Sequence, residues 1–95
     1  MTSTESIIQQ DHVLGPRNAA VSLLEYGDYE CPYCRRANVI VEEVLRQMPS
    51  VQYVFRHFPL VTMHPHALHA AEAAESAADQ GKFWEMHRVL FENQE

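Results

Sequence analysis

The chain has 95 residues, of which 46% are hydrophobic and 21% charged, a composition that suits one small globular domain. Its formal net charge of −6 and its scattered basic residues argue against nucleic acid or an anionic membrane as the main partner. No apolar run approaches the roughly 20 residues of a membrane span. Two cysteines are too few for a disulfide scaffold.

The N-terminal stretch is polar, and it lacks the basic start and the long apolar core of a signal peptide. We expect residues 1–11 to be flexible, although Ile7–Ile8 could add a short strand. Residues 1–95 are expected to form a single domain. Without a signal peptide the chain is expected to be cytoplasmic, and it is expected to be periplasmic or exported if a signal was removed.

The segment Ala19–Tyr26 is predicted to be a strand that follows a turn at Gly15–Asn18. Both faces of this strand carry apolar side chains, which indicates a strand covered on both sides, as in an α/β sheet. Glu25 is the exception. It is either a buried carboxylate or an acid at the strand end that faces solvent, and the sequence leaves both readings open.

A helix is predicted after this strand. Pro32 suits the first helical position, Arg35–Met48 has helical periodicity, and Pro49 ends the helix. The apolar stripe of the helix is predicted to contain Ala37, Ile40, Val41, Val44, Leu45 and Met48. Val51–His57 has the pattern of a second strand, so the three elements predict a βαβ unit with parallel strands.

Two further helices are predicted in the rest of the chain. The first runs from Pro65 to about Gln80 and stops at Gly81. Its close-packing face is predicted to contain Ala67, Leu68, Ala71, Ala74 and Ala78. The second is the shorter segment Lys82–Asn93, whose apolar side carries Phe83, Trp84, Met86, Leu90 and Phe91.

The most specific feature is the pair Cys31 and Cys34 at the start of the first predicted helix. Unpaired N–H groups and the helix dipole favour a thiolate at such a position. Disulfide exchange needs an attacking thiolate and a second thiol that resolves the mixed disulfide, and we assign these roles to Cys31 and Cys34. Pro32 and Tyr33 are expected to tune the redox poise, and Tyr33 and Tyr29 to line the substrate-facing surface. Glu25, if buried, would handle protons for Cys34.

A Cys-x-x-Cys pair can also supply half of a zinc site, which makes a zinc-binding module an alternative. His64, His66 and His69 are the candidates for the remaining ligands. However, His64 and His66 flank a proline at a helix start and do not share one helical face, so redox chemistry is favoured. We expect no cofactor and no resident metal.

Four stretches of the chain resemble DsbA-like thiol–disulfide oxidoreductases of the thioredoxin-fold superfamily. They are Leu24–Cys34, Phe55–Leu60, His64–Ala67 and Gly81–His87, which occur in the family's order. The likeness runs from about His12 to the C-terminus. It implies an α/β fold that is a partial thioredoxin-like fold, with the cysteine pair at the N-terminus of the first helix and a helical insertion after the second strand.

The resemblance implies that Cys31 is the nucleophile, Cys34 the resolving thiol and Glu25 the buried acid of the family. Protein thiols or disulfides are the implied substrates, together with a redox partner. Family members continue into a cis-proline loop, two strands and a final helix, so this C-terminal ββα half is expected to be missing. The first strand would then have an open edge, which predicts a dimer or a higher oligomer. A non-catalytic interaction module is the alternative to an enzyme.

Overall fold

A computed structural model describes residues 10–94 of the chain. The possible strand at Ile7–Ile8 lies outside the described residues, and so do residues 1–9 of the segment 1–11 that was expected to be flexible. The described part folds into three strands and three helices. In chain order these are β1 His12–Leu14, β2 Ser22–Gly27, α1 Pro32–Gln47, β3 Gln52–His57, α2 Ala67–Ala78 and α3 Phe83–Glu92. No helix among these residues is long and apolar enough to span a membrane.

The three strands form one sheet in the order β1, β3, β2. Strands β2 and β3 are parallel, with Leu24 opposite Val54 and Gly27 opposite His57, so the predicted βαβ unit is confirmed. Strand β1 was not predicted, because three residues are too few for a visible alternation; it pairs antiparallel to β3. Strand β2 therefore lies at one edge of the sheet, and that edge has no partner strand among residues 10–94.

The two parallel strands are covered on both faces, as the apolar pattern predicted. Leu24 of β2 is 1% exposed, and its neighbour Glu25 on the opposite face is 6% exposed. Four successive residues of β3, Gln52 to Phe55, are all buried. Alternating side chains of both strands therefore pack into two different layers.

Helix α1 packs part of the predicted apolar stripe against the core, including Val41 and Leu45. Its buried residues are Asn38 and Val41, whereas Ile40 is 63% exposed and Met48 is 54% exposed. The prediction counted apolar residues only, and it therefore missed that a polar asparagine lies at the centre of the buried side. The partner of Asn38, which lies on α3, explains its burial and is described below.

Helices α2 and α3 cover the sheet as a pair. Helix α2 begins at Ala67, two residues after the predicted start, and buries Ala67, Ala71 and Ala74, whereas Leu68 of the predicted face is 46% exposed. Helix α3 buries Phe83, His87 and Phe91, which recur every four residues. The core cluster consists of Tyr29, Val41, Tyr53, Phe55, Ala74, Phe83 and Phe91.

Candidate dithiol site

The two cysteines lie one helical turn apart at the N-terminus of α1. Cys31 is the residue that caps the helix; its backbone is extended (φ −79°, ψ 122°), and its carbonyl accepts the N–H of Arg35 at 3.1 Å. Pro32 is the first helical residue, where its missing N–H costs nothing. Both cysteines are partly exposed thiols in the structure. No side chain caps the helix start, so its free N–H groups remain available to a negative charge there.

The surroundings of the two sulfur atoms differ, and the difference fixes which thiol holds its proton. Burial raises the pKa of Cys34 to about 11; a hydrogen bond with the backbone of Asp28 opposes this rise, and a hydrogen bond with Cys31 adds to it. The proton is therefore retained on Cys34, which packs against the core. Cys31 lies outside this core cluster, at the N-terminal end of α1.

The loop before the cysteines is fixed by Asp28, a residue that the sequence analysis did not single out. Its carboxylate is 3% exposed and accepts the N–H of Glu30 at 2.7 Å, the N–H of Leu60 at 2.9 Å and His64 Nδ1 at 2.8 Å. Its carbonyl accepts the N–H of Cys31 at 3.1 Å. Burial alone would raise the pKa of Asp28, but these hydrogen bonds hold it below its usual value.

Glu25 lies in the protein interior, which decides between the two readings left open by the sequence. The Tyr53 hydroxyl donates a hydrogen bond of 2.5 Å to Glu25 Oε1. Burial raises the pKa of Glu25, and the hydrogen bond from Tyr53 partly opposes the rise. The charge of Glu25 in turn contributes to the raised pKa of Cys34, so the two groups interact.

Tyr29 does not line the substrate-facing surface, because it is 3% exposed and belongs to the core. Its hydroxyl lies 2.9 Å from His87 Nδ1, and His87 Nε2 lies 3.3 Å from Asn38 Oδ1. Because the amide oxygen of Asn38 can only accept, His87 carries its proton on Nε2 and accepts from Tyr29. Burial lowers the pKa of His87 to about 3, so the imidazole is neutral.

The residues around the mouth of the site are exposed. Tyr33 is 74% exposed, and the guanidinium of Arg36 lies 4.6 Å from the centre of its ring. Pro32 is also exposed. On the inner side, Gln94 Nε2 donates to the carbonyl of Tyr29 at 2.8 Å and to that of Cys31 at 2.9 Å. Sequence reasoning gave no reason to single out Gln94, since it lies 63 residues from Cys31.

The histidines proposed for a zinc site do not form a metal-ligand group with the cysteines among the described residues. His64 binds Asp28, the backbone N–H of His66 donates to Glu30, and His69 is exposed beside Glu72. Among residues 10–94, no group of donor atoms with metal-ligand spacing includes either cysteine.

Comparisons with known proteins agree with this geometry. The thioredoxin family model Thioredoxin_4 matches residues 8–95. A thioredoxin-like oxidoreductase from Silicibacter pomeroyi is similar in structure, with a TM-score of 0.78 and 37% identity over 85% of this chain and 46% of that one. DsbA2 from Pseudomonas aeruginosa has a TM-score of 0.78 and 28% identity, and the match covers 90% of this chain and 50% of that one.

A curated relative of a different kind also matches. The Na⁺/H⁺ antiporter NhaA 1 of Salinispora arenicola is 55% identical over 85 residues, which are 90% of this chain and 13% of the antiporter. The chain thus spans a small part of this relative and about half of the solved structures. The family match over residues 8–95 is nevertheless unambiguous, and the chain belongs to the thioredoxin family, with a thioredoxin-like fold of the DsbA type.

Proposed function

We propose that the chain exchanges disulfides with protein substrates through Cys31 and Cys34. The observation that carries this proposal is the asymmetry of the pair: Cys31 caps α1, whereas Cys34 is held protonated one turn inside the helix. A thiol–disulfide exchange needs this combination of a ready nucleophile and a reserve thiol. The family match supports the same chemistry.

In the reducing direction, the Cys31 thiolate attacks one sulfur of a substrate disulfide. A bond forms between Cys31 Sγ and that sulfur, and the other substrate sulfur leaves as a thiolate that takes up a proton. The free N–H groups at the start of α1 stabilise the charge on Cys31 before the attack. The hydrogen bonds of Asp28 and Gln94 to the loop hold Cys31 in place during this step.

In the second step, Cys34 loses its proton and attacks Cys31 Sγ. The mixed disulfide breaks, the substrate sulfur leaves as the second thiol, and Cys31 and Cys34 end as a disulfide. Two electrons have passed to the substrate. We assign the proton transfer from Cys34 to Glu25, because the raised pKa of this buried carboxylate makes it a better base than an ordinary glutamate. The oxidising direction is the same sequence reversed.

The test is a redox titration of the purified chain in glutathione buffers, read by thiol-trapping mass shifts. We expect a reversible two-electron transition, whose midpoint shows which direction is favoured. Cys34→Ser should accumulate a mixed disulfide when it is mixed with a model peptide that carries a disulfide, whereas Cys31→Ser should form none. The absence of a transition in the wild-type chain at every poise would contradict the proposal.

The match to an antiporter favours a second candidate, which is a non-catalytic interaction module that accompanies a membrane transporter. In this case the protein acts by binding a partner through its surface and not through the chemistry of its two cysteines. It is supported by the high identity to a short part of the Salinispora arenicola relative.

Binding to the rest of that relative separates the two candidates. The chain and its Cys31→Ser/Cys34→Ser variant are mixed with the antiporter lacking its matching segment, and co-purification is measured. An interaction module predicts equal binding of both forms. Binding that needs the cysteines, or no binding at all, would argue against this second candidate.

A further inference from the structure

Three potential metal ligands converge at a place that shares no residue with the dithiol. His12 Nε2 lies 2.6 Å from Glu75 Oε2, and His57 Nε2 lies 2.7 Å from the same oxygen. The ligand atoms of the three residues all lie within 4.8 Å of one another. They come from three different elements, β1, β3 and α2. His12 and Glu75 are 63 residues apart in the sequence, so no local spacing of residues predicts the cluster.

The two imidazole rings are held in place by aromatic packing. The ring of His12 is stacked on Phe83, with 3.6 Å between the centroids and an angle of 6° between the planes. His57 packs edge-on against Phe55, Tyr29 and Phe83, at 5.6 to 5.9 Å. Each histidine side chain is only about a fifth exposed. The rings therefore cannot turn freely away from their common target, which reduces the entropic cost of binding an ion there.

The cluster is open to solvent on its outer side. His12, His57 and Glu75 line a depression of about 280 Å³, which leaves room for a bound ion and for a water molecule beside it. The cation that lines the same depression, Arg56, donates two hydrogen bonds to the carboxylate of Asp11 at 2.7 and 2.8 Å. Its charge is thereby balanced, and it does not oppose the approach of a cation as a lone guanidinium would.

We propose that His12, His57 and Glu75 form a binding site for a first-row divalent metal ion of the zinc class. Two imidazole nitrogens and one carboxylate oxygen are a ligand set that suits Zn²⁺ and its neighbours Co²⁺ and Ni²⁺, and that Ca²⁺ and Mg²⁺ do not favour. A fourth position faces the open depression, where water completes the coordination. The site goes beyond the expectation from the sequence, which considered metal binding only at the cysteines.

Binding needs small movements of the cluster, both at the carboxylate and between the two imidazole nitrogens, which lie within 4.8 Å of each other. Metal–ligand bonds of about 2.0–2.1 Å in tetrahedral geometry place neighbouring ligand atoms about 3.3 Å apart. The present contacts to Glu75 Oε2 are 2.6 and 2.7 Å, so the carboxylate has to withdraw by less than 1 Å. Its side chain is 51% exposed and can do so without disturbing the core.

One feature of His57 limits the strength of the site. Its buried Nδ1 has no hydrogen-bond partner among the described residues, whereas strong sites usually provide an acceptor for the second ring N–H. Such outer contacts change affinity by roughly 10- to 100-fold, so we expect a site weaker by that factor than a fully supported one. Zinc should therefore exchange on and off rather than remain through purification against a chelator.

The test is a titration of the chain with Zn²⁺ and Co²⁺ alone. Because thiols also bind these ions, the Cys31→Ser/Cys34→Ser variant of the full chain is titrated beside the wild type. We expect one Zn²⁺ per chain in calorimetry and the visible bands of four- or five-coordinate Co²⁺, both in the variant without cysteines. In the variant without cysteines, His57→Gln and Glu75→Gln should each weaken Zn²⁺ binding about 10-fold or more. Each removes a ligand, which should cost at least as much as losing a hydrogen bond that supports a ligand.

His69→Gln is the matched control. His69 lies on the exposed surface of α2, more than one helical turn before Glu75 and with Glu72 three residues on, and it should bind no ion of its own. Because His12 or His57 substitutions could also disturb folding, the wild-type chain is followed by NMR of its imidazole nitrogens during the Zn²⁺ titration. The Nε2 signals of His12 and His57 should move together and that of His69 should not. No binding without the cysteines, or equal effects of His69→Gln and His57→Gln, would overturn the proposal.

Discussion

The substitution Asp28→Asn tests whether one buried carboxylate holds the loop that carries the cysteines. Asp28 accepts three hydrogen bonds: one N–H donates to Oδ1, and the N–H of Leu60 together with His64 Nδ1 donates to Oδ2. An asparagine has one acceptor oxygen in place of two. Its best orientation keeps the oxygen at the Oδ2 position and turns the NH₂ group toward the N–H of Glu30, where two donors face each other.

The expected loss follows from this count. One hydrogen bond is lost and leaves a buried N–H without an acceptor, at a cost of about 1–3 kcal/mol, and the two that remain lose the charge on their acceptor. Because such contributions are not additive, we expect the free energy of unfolding to fall by about 2–4 kcal/mol at pH 7. Urea denaturation followed by far-ultraviolet circular dichroism measures it. Asp79→Asn, at an exposed position after α2, should change stability by less than about 0.5 kcal/mol.

The pH dependence adds a second check. The pKa of Asp28 is lowered in the folded chain, so its contribution is complete above the ordinary aspartate pKa of about 3.9 and is lost as the pH falls further. The difference between wild type and Asp28→Asn should therefore shrink below about pH 4. A loss below 1 kcal/mol at pH 7, or a difference that does not change in acid, would refute the assigned role of the carboxylate.

Three further predictions concern the same half of the molecule. Burial raises the pKa of Glu25, so its ionised form destabilises the fold; this cost is absent in acid and complete above the folded pKa. Glu25→Gln should therefore stabilise the chain at about pH 8 and have little effect near pH 4. Equal urea midpoints of the two proteins at about pH 8 would contradict this. Gly27→Ala should cost about 1–3 kcal/mol in the same assay, because the added Cβ would collide with the buried ring of Phe55, and a neutral effect would show that the ring can move. The edge of β2 that has no partner strand among residues 10–94 predicts a dimer or a larger assembly in light scattering, and a well-folded monomer would contradict it.

The sequence predicted the features that depend on local pattern. A nearly unbroken apolar run identified β2, alternation identified β3, and helical spacing identified the three helices, each within a few residues. The position of Cys31 at the helix start also follows from local signals, because Pro32 strongly prefers the first helical turn.

The features that were missed depend on contacts between distant segments. His87 was not part of the predicted apolar side of α3, yet it is buried because Tyr29 and Asn38 satisfy both of its ring nitrogens. Asp28 gave one local signal, since an aspartate side chain that accepts the N–H two residues on is a common turn. Its bonds to Leu60 and His64, however, become visible only when the two loops are placed side by side.

The parallel register explains why these distant contacts form at all. Gly27 lies opposite His57, and the N–H of Phe58 donates to the carbonyl of Gly27 at 2.8 Å, so the loops after β2 and β3 leave the sheet at the same edge. Asp28 can then bridge them. The same register places Tyr53 opposite Leu23, two residues before Glu25 and on the same face, from where its hydroxyl reaches the carboxylate.

A slip of one residue would turn every side chain of β2 to the other face. Glu25 would then leave Tyr53 and its place near Cys34, and the loop of Asp28 would no longer meet the N–H of Leu60. The buried runs Leu24–Glu25 and Gln52–Phe55 prevent the slip, because each face of the sheet has its own set of large side chains to bury. The chemistry proposed for Cys31 and Cys34 is therefore set by core residues of two strands as much as by the four residues of the motif itself.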